Sequence, residues 1–202
     1  FRNDDGDEIN ATWARATNEQ PVSAVQPGTF FRIRFVIEEY AGKNARDSAF
    51  ALIMRVNGGS WVGVDATSPF KFELSDHIAG AEPTTQQLSS GTFVSGYLVE
   101  DGGTPGTITI VSNGSTEYEL MLSLNLDGYG VTYNDGDTIE LGMAFSDMAL
   151  LDDYIQMPTF TVAALTQFSN LYLGGQKINE FRLGGALVPR IYLGDQEVYR
   201  NE

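Results

Sequence analysis

"FFRIRFVIEE", residues 30–39, decides the fold. Its apolar side chains fall on alternate positions: Phe31, Ile33, Phe35 and Ile37 point one way, and Arg32, Arg34 and Glu38 the other. A period of two is the mark of a β-strand, because successive Cβ atoms leave opposite faces of the pleat. The segment therefore predicts a strand with one buried face. "FALIMRV" (50–56) repeats the pattern with Phe50, Leu52, Met54 and Val56, and then turns through Asn57-Gly58-Gly59, residues that tolerate the positive φ of a tight hairpin.

Further strands are predicted at 92–100, 107–111, 117–126, 137–145 and 158–164, separated by turn clusters such as "EDGGTPG", "SNGST" and "YNDGDT". Helix signals are poor, since Gly80 and Pro83 interrupt the best candidate stretch. Short strands at this spacing without intervening helices imply an all-β, antiparallel β-sandwich, Ig-like or jelly-roll. Its expected core contains Phe31, Ile33, Phe35, Phe50, Leu52, Met54, Leu120, Leu122 and Leu124.

The end of the chain reads differently. "LYLGGQKINE FRLGGALVPR IYLGDQEVYR" (171–200) is a ten-residue unit written three times. Leu171, Phe181 and Ile191 open the units, Leu173, Leu183 and Leu193 hold the third place, and Ile178, Val188 and Val198 the eighth. Each unit offers two short strands around Gly-Gly or Gly-Asp. One such unit buries too little apolar surface to offset its ordering entropy, whereas stacked units or neighbouring subunits can share a core. The expected organisation is an acidic sandwich over 1–164 and a C-terminal element of three β-repeats over 165–202. The nine apolar repeat positions are the expected assembly interface, and a homo-oligomer, for which a trimer is one option, is the expected state.

Charge divides the chain at the same place. Of 12 Lys+Arg and 27 Asp+Glu, residues 165–202 hold four of each, so the whole net charge of −15 lies in the first 164 residues. Such a balance excludes nucleic acid as a partner, because phosphate binding needs clustered Lys and Arg. No apolar run approaches the ~18 residues of a membrane span, and no secretory leader is legible. The absence of cysteine removes disulfides, thiolate metal sites and a cysteine nucleophile.

Candidate chemistry is sparse. The one histidine, His77, stands beside Ser75 and Asp76, but neighbours along an extended chain face opposite ways and form no relay. Carboxylate pairs for glycoside hydrolysis would come from Asp4, Asp5, Asp7, Glu8, Glu117, Glu119, Asp152 and Asp153, most of them expected to be solvated. No catalytic residue is expected. "NDDGDE" (3–8) and "YNDGDT" (133–138) set oxygens around a glycine, which gives a calcium reading at Asp4, Asp5, Asp7, Asp135 and Asp137, although neither has EF-hand spacing. No other cofactor is expected. Sugar stacking has six aromatic candidates, Trp13, Trp61, Tyr97, Tyr129, Tyr133 and Tyr154. Tyr129 and Tyr133, set among Gly and Asp, are preferred for the surface; Trp61 is expected to pack in the core or across strands.

The stretches "FRNDDGDEINATW" (1–13), "FFRIRFVIEE", "VNGGSWVGV", "TTQQLSSGTFVSGYLVEDG", "TEYELMLSL" and "DTIELGMAF" together resemble a domain of uncharacterised structural proteins of tailed bacteriophages. The residues that carry the match are Arg2, Asn3, Asp4, Asp5, Gly6, Glu8, Ala11, Thr12, Trp13 and Trp61, although an aromatic common between the second and third of the motif is missing here. Tyr172-Leu173-Gly174 and Tyr192-Leu193-Gly194 are similar to the repeats that end phage tail and fibre proteins. The resemblance implies a non-enzymatic virion component at the particle surface (a capsid decoration, head-fibre or tail-associated protein) with other virion proteins as partners. The alternative is a carbohydrate-binding module or adhesin that takes a cell-surface glycan.

Overall fold

The computed structural model describes the chain except residues 17, 18, 20–29, 46, 47, 65–67, 69, 101–105, 125–135, 152, 153, 155, 163–170, 174, 175, 179–181, 184, 185, 188, 189, 194, 195, 201 and 202; the strands between 171 and 200 are described by their backbone. The fold is all-β, with no helix among the described residues. Two units are distinguished, Phe1–Ala163 and Ala164–Glu202.

The first unit is built on two sheets. One centres on β7 (Gly114–Leu124), which pairs antiparallel along its length with β1 (Phe30–Glu38). The other edge of β7 is shared by three short strands: β4 (Phe70–Phe72) antiparallel at its end, and β5 (Thr92–Phe93) and β6 (Leu98–Val99) in parallel further back. Covered along both edges, all eleven residues of β7 are buried. The second sheet runs β3 (Val62–Gly63), β2 (Phe50–Val56), β8 (Thr138–Phe145) and β9 (Thr159–Thr161), all antiparallel. The turn after β2 carries positive φ at Asn57 and Gly58, and Gly59 N–H closes it on Val56 O at 2.8 Å.

The sheets share one apolar core, as sandwich packing requires. Ile33, Tyr118, Leu120, Leu122 and Leu124 meet Phe50, Leu52, Met54, Leu141 and Met143, with Phe31 and Phe35 packed at the margin. Aromatic rings join the layers: Phe31 and Phe160 lie 5.1 Å apart, Phe50 and Tyr118 5.7 Å. The parity read from 30–39 is thus the observed one.

Three expectations need correction. Residues 92–100 form two short strands and not one, because the chain bends at Val94–Gly96 to let Gly96 pass over Glu117; a Cβ there would stand 2.1 Å from the Glu117 carbonyl oxygen. Residues 107–111 make an isolated bridge, Ser48 with Ile108, where a strand was expected. Most important, the polar face of β1 is not open to solvent. Arg32 and Arg34 are buried, more so than Phe31 and Phe35, because two further segments lie over that face.

The second unit consists of three successive antiparallel hairpins: β10 (Leu171–Leu173) with β11 (Gln176–Ile178), β12 (Arg182–Leu183) with β13 (Ala186–Leu187), and β14 (Arg190–Leu193) with β15 (Gln196–Arg200). Each is a separate two-stranded sheet. In the first, Leu171 opposes Ile178 and Leu173 opposes Gln176; in the third a register shift between Ile191 and Tyr192 sets Ile191 against Tyr199.

Candidate functional site

The covered face of β1 and β7 is where the chain concentrates buried charge. Arg32 and Arg34 project from β1, and Glu117 and Glu119 from β7, with Arg34 directly opposite Glu119 in the ladder. Arg2 enters from the N-terminal segment, whose main chain bonds Arg32 in both directions at 2.9 and 3.1 Å. Glu119 accepts from Arg2 at 2.7 Å, Arg34 at 2.6 Å and Arg32 at 3.3 Å. Arg34 also reaches Glu117 at 2.6 Å and Glu8 at 2.7 Å, and Arg32 clasps Asp4 through Nε and Nη2. Charges this deep persist only when paired and hydrogen-bonded, and here they are.

Two loops complete the arrangement. The first is the motif stretch 2–13, folded on itself by an antiparallel bridge between Arg2 and Trp13. Asp5 holds Thr12 through its N–H at 2.8 Å and its hydroxyl at 2.5 Å, and Asp7 accepts the N–H groups of Ile9 and Asn10 at 3.0 and 2.8 Å. The loop thereby turns three carbonyls inward: Glu8 and Ala11 accept from Arg2 at 2.6 and 2.7 Å, and Gly6 from Arg32 at 2.7 Å. Gly6 has no room for a side chain, since a Cβ would meet Ala11 N at 2.9 Å. The second loop spans 75–89. Glu117 accepts the N–H groups of Leu88 and Ser89 at 2.9 and 2.7 Å, Thr85 donates to Glu8, and the Ser75 hydroxyl donates to Asp4 at 2.7 Å. Beside these polar contacts Ile78, Leu98 and Met121 form a small apolar cluster.

The electrostatics follow from the contacts. Burial pushes Glu117 up, but the hydrogen bonds from Ser89, Leu88 and Arg34 outweigh it and hold the carboxyl below its ordinary value. Glu8 is likewise opposed by burial and lowered by Thr85 and Arg34. Burial disfavours the Arg34 charge, yet Glu117, Glu119 and Glu8 raise its pKa. Chemically, the arrangement favours the ionised forms of Glu8 and Glu117 and the charged form of Arg34, and so ties two loops to one sheet face. A general acid in a glycosidase requires the opposite shift, a carboxyl held protonated by its surroundings.

The expected solvation of Glu117 and Glu119 is therefore corrected: both are fully buried, because three arginines offset their desolvation. Asp4, Asp5 and Asp7 turn to Arg32, Thr12 and Asn10 respectively, and do not converge on one point. Asp137 accepts from Asn57 at 2.9 Å, and Asp135 lies outside the described residues. Among the described residues no group of three or more metal-ligating side chains comes together. His77 and Asp76 are exposed, while the Ser75 hydroxyl is engaged by Asp4 and the His77 main chain. Trp61 sits on the other sheet, its ring 4.7 Å from the Arg55 guanidinium, which in turn pairs with Glu140 at 2.6 Å. Tyr154 donates to the Met143 carbonyl and packs against Gly142. Tyr129, Tyr133, Asp152 and Asp153 lie outside the described residues, as do Phe181 and Val188 of the repeats. Leu171, Leu173, Ile178, Leu183, Ile191, Leu193 and Val198 fall on the hairpin strands, but their side chains lie outside what is described.

The clamp as a unit escaped the residue-by-residue reading. Its signal was present: Arg-x-Arg in one strand and Glu-x-Glu in another, each with like charges on one face. Opposite charges across neighbouring strands stabilise a pair, so the two patterns are complementary.

No protein-family model, no curated protein and no solved structure matches this chain. No helix among the described residues is long and apolar enough to cross a membrane.

Proposed function

We propose that the chain is a non-enzymatic structural component of a tailed-bacteriophage particle, exposed at its surface as a capsid-decoration, head-fibre or tail-associated protein. One observation carries the assembly part of this reading: the three consecutive hairpins at ten-residue intervals, each a sheet of only two strands. A two-stranded hairpin is marginal alone in water, and an unpaired edge recruits further strands. Among the described residues these hairpins have no ladder to another strand, so other copies or other particle proteins are the natural partners. Neutral charge over 165–202 removes the repulsion that the acidic unit imposes between copies.

The clamp supports the non-enzymatic part. Arg2, Asp4, Asp5, Gly6, Glu8, Ala11 and Thr12, which carry the likeness to phage structural proteins, are spent on holding one another and the sheet. The test compares the full chain with one lacking 165–202, by mass in solution and by antibody labelling of purified particles. The full chain is expected to form a defined oligomer and to label particles; the truncated chain should be monomeric and absent from them. Equal mass and equal incorporation would refute the proposal.

A further inference from the structure

Next to the clamp, an open cleft of about 500 Å³ is lined by Trp13, Arg15, Glu19, Gln87 and Leu88, with two alanines between them. We propose that this cleft binds a sugar unit of a neutral glycan, with the Trp13 ring as its stacking platform. The proposal is independent of where the protein sits on a particle.

Trp13 is 40% exposed, yet it is not loose. Its main chain is bridged to Arg2, and the Arg2 guanidinium lies 4.9 Å from the ring centroid. The indole is thus held in place before any ligand arrives, which lowers the ordering cost of binding. An aromatic body held at the surface suits a ligand with one apolar face, such as the C–H face of a pyranose.

Polar groups of both kinds surround it. Arg15 Nε is shielded from solvent and has no hydrogen-bond partner among the described residues. Shielded in this way, that nitrogen is out of a ligand's reach, and what Arg15 offers a hydroxyl is the remaining donors of its guanidinium, which lines the cleft. Gln87 commits its amide nitrogen to the Glu8 carbonyl at 2.6 Å, which leaves its carbonyl oxygen as an oriented acceptor. Among the described residues the Glu19 carboxylate has one weak contact, accepting from Ala16 N at 3.4 Å through Oε2, so Oε1 remains an acceptor. A hydroxyl both donates and accepts, and a ring of hydroxyls needs such a mixture.

Other ligand classes fit less well. Arg15 and Glu19 offset each other in the cleft, while the chain as a whole is −15, so anionic sugars and nucleic acid are repelled. An extended peptide would need a strand edge to pair with, and residues 13–16 and 87–88 belong to no strand. The volume lies within the ~300–1,000 Å³ of small-ligand sites.

The experiment titrates the full chain with neutral gluco-, manno-, galacto- and N-acetylglucosamine oligosaccharides, reading tryptophan fluorescence and calorimetry. Trp61→Phe assigns the optical signal to Trp13. At least one oligosaccharide should bind, and Trp13→Ala, Arg15→Ala and Glu19→Ala should each weaken it about ten-fold or more. Among the described residues neither Arg15 nor Glu19 makes a side-chain hydrogen bond or ion pair with the clamp, so those two variants separate ligand contact from unfolding. The chain lacking 165–202 should bind equally well, which keeps this outcome distinct from assembly. Absence of binding up to about 10 mM, which corresponds to a free energy of only about 2.7 kcal/mol, would overturn the proposal. So would binding that survives Trp13→Ala and Arg15→Ala but is lost in Tyr129→Ala and Tyr133→Ala.

Discussion

Arg34 touches three carboxylates at once, and its value to the fold comes from what would remain without it. Arg34→Ala leaves Glu117 and Glu119 buried with part of their counter-charge gone. Removing one partner of a buried ion pair typically costs ~3–5 kcal/mol. Urea unfolding of the variant should show a loss of that order, and a loss under about 1 kcal/mol would mean the pair is solvated. Tyr118 presents the reverse case. Its ring is fully buried against Phe50 and Tyr97, burial raises its pKa, and its hydroxyl has no partner among the described residues. Tyr118→Phe removes an unsatisfied polar atom without changing shape. It is expected to leave stability unchanged or raise it by about 1 kcal/mol. A clear loss on thermal melting would reveal a hydrogen bond to that oxygen.

The loop of residues 2–13 and the loop of 75–89 are held to β1 and β7 by ionised carboxylates, so their attachment depends on pH. Glu8 and Glu117 have pKa values lowered by folding, while an unfolded Glu titrates near ~4.3. As pH falls through that region the unfolded chain takes up protons that the native chain does not. Stability from these groups is complete above about pH 5, and is lost below it as the folded values are approached. Denaturant midpoints measured from pH 7 to pH 3 should be level at first and then fall. Hydrogen exchange in the two loops should rise over the same interval. A midpoint unchanged down to pH 3 would contradict the ion-paired arrangement. The same contacts give a role to several polar side chains of both loops: Asp4, Thr85, Gln87 and Ser89 each meet a residue of the clamp, and Gly6 and Gly96 let the backbone come close enough.

The acidic unit has a core of its own, and every core residue among the described residues falls before position 163. The chain ending at Ala163 is therefore expected to unfold in one cooperative transition, with a denaturant midpoint close to that of the corresponding transition in the full chain. Circular dichroism checks this. A truncated chain that fails to fold would mean that residues 164–202 complete the sandwich, and the hairpins would then be part of one domain.

Much of the architecture was open to reading from residue order. The alternation in 30–39, 50–56 and 117–126 is local, because a strand with one apolar face must show a period of two, and so the all-β class and the core parity of Ile33, Leu52 and Leu122 could be inferred directly. The second covered face could not. Arg32, Arg34, Glu117 and Glu119 look like solvent-facing residues to any local rule, since charge is ordinarily exposed. What buries them is contact between positions up to 117 apart, as with Arg2 and Glu119, together with two loops whose course depends on where β1 and β7 meet. Parallel pairing of β5 and β6 with β7, and the mere bridge at Ile108, likewise depend on which edge was vacant. Periodicity records which way a side chain leaves its own backbone; what it meets there is set by the packing of segments distant in sequence.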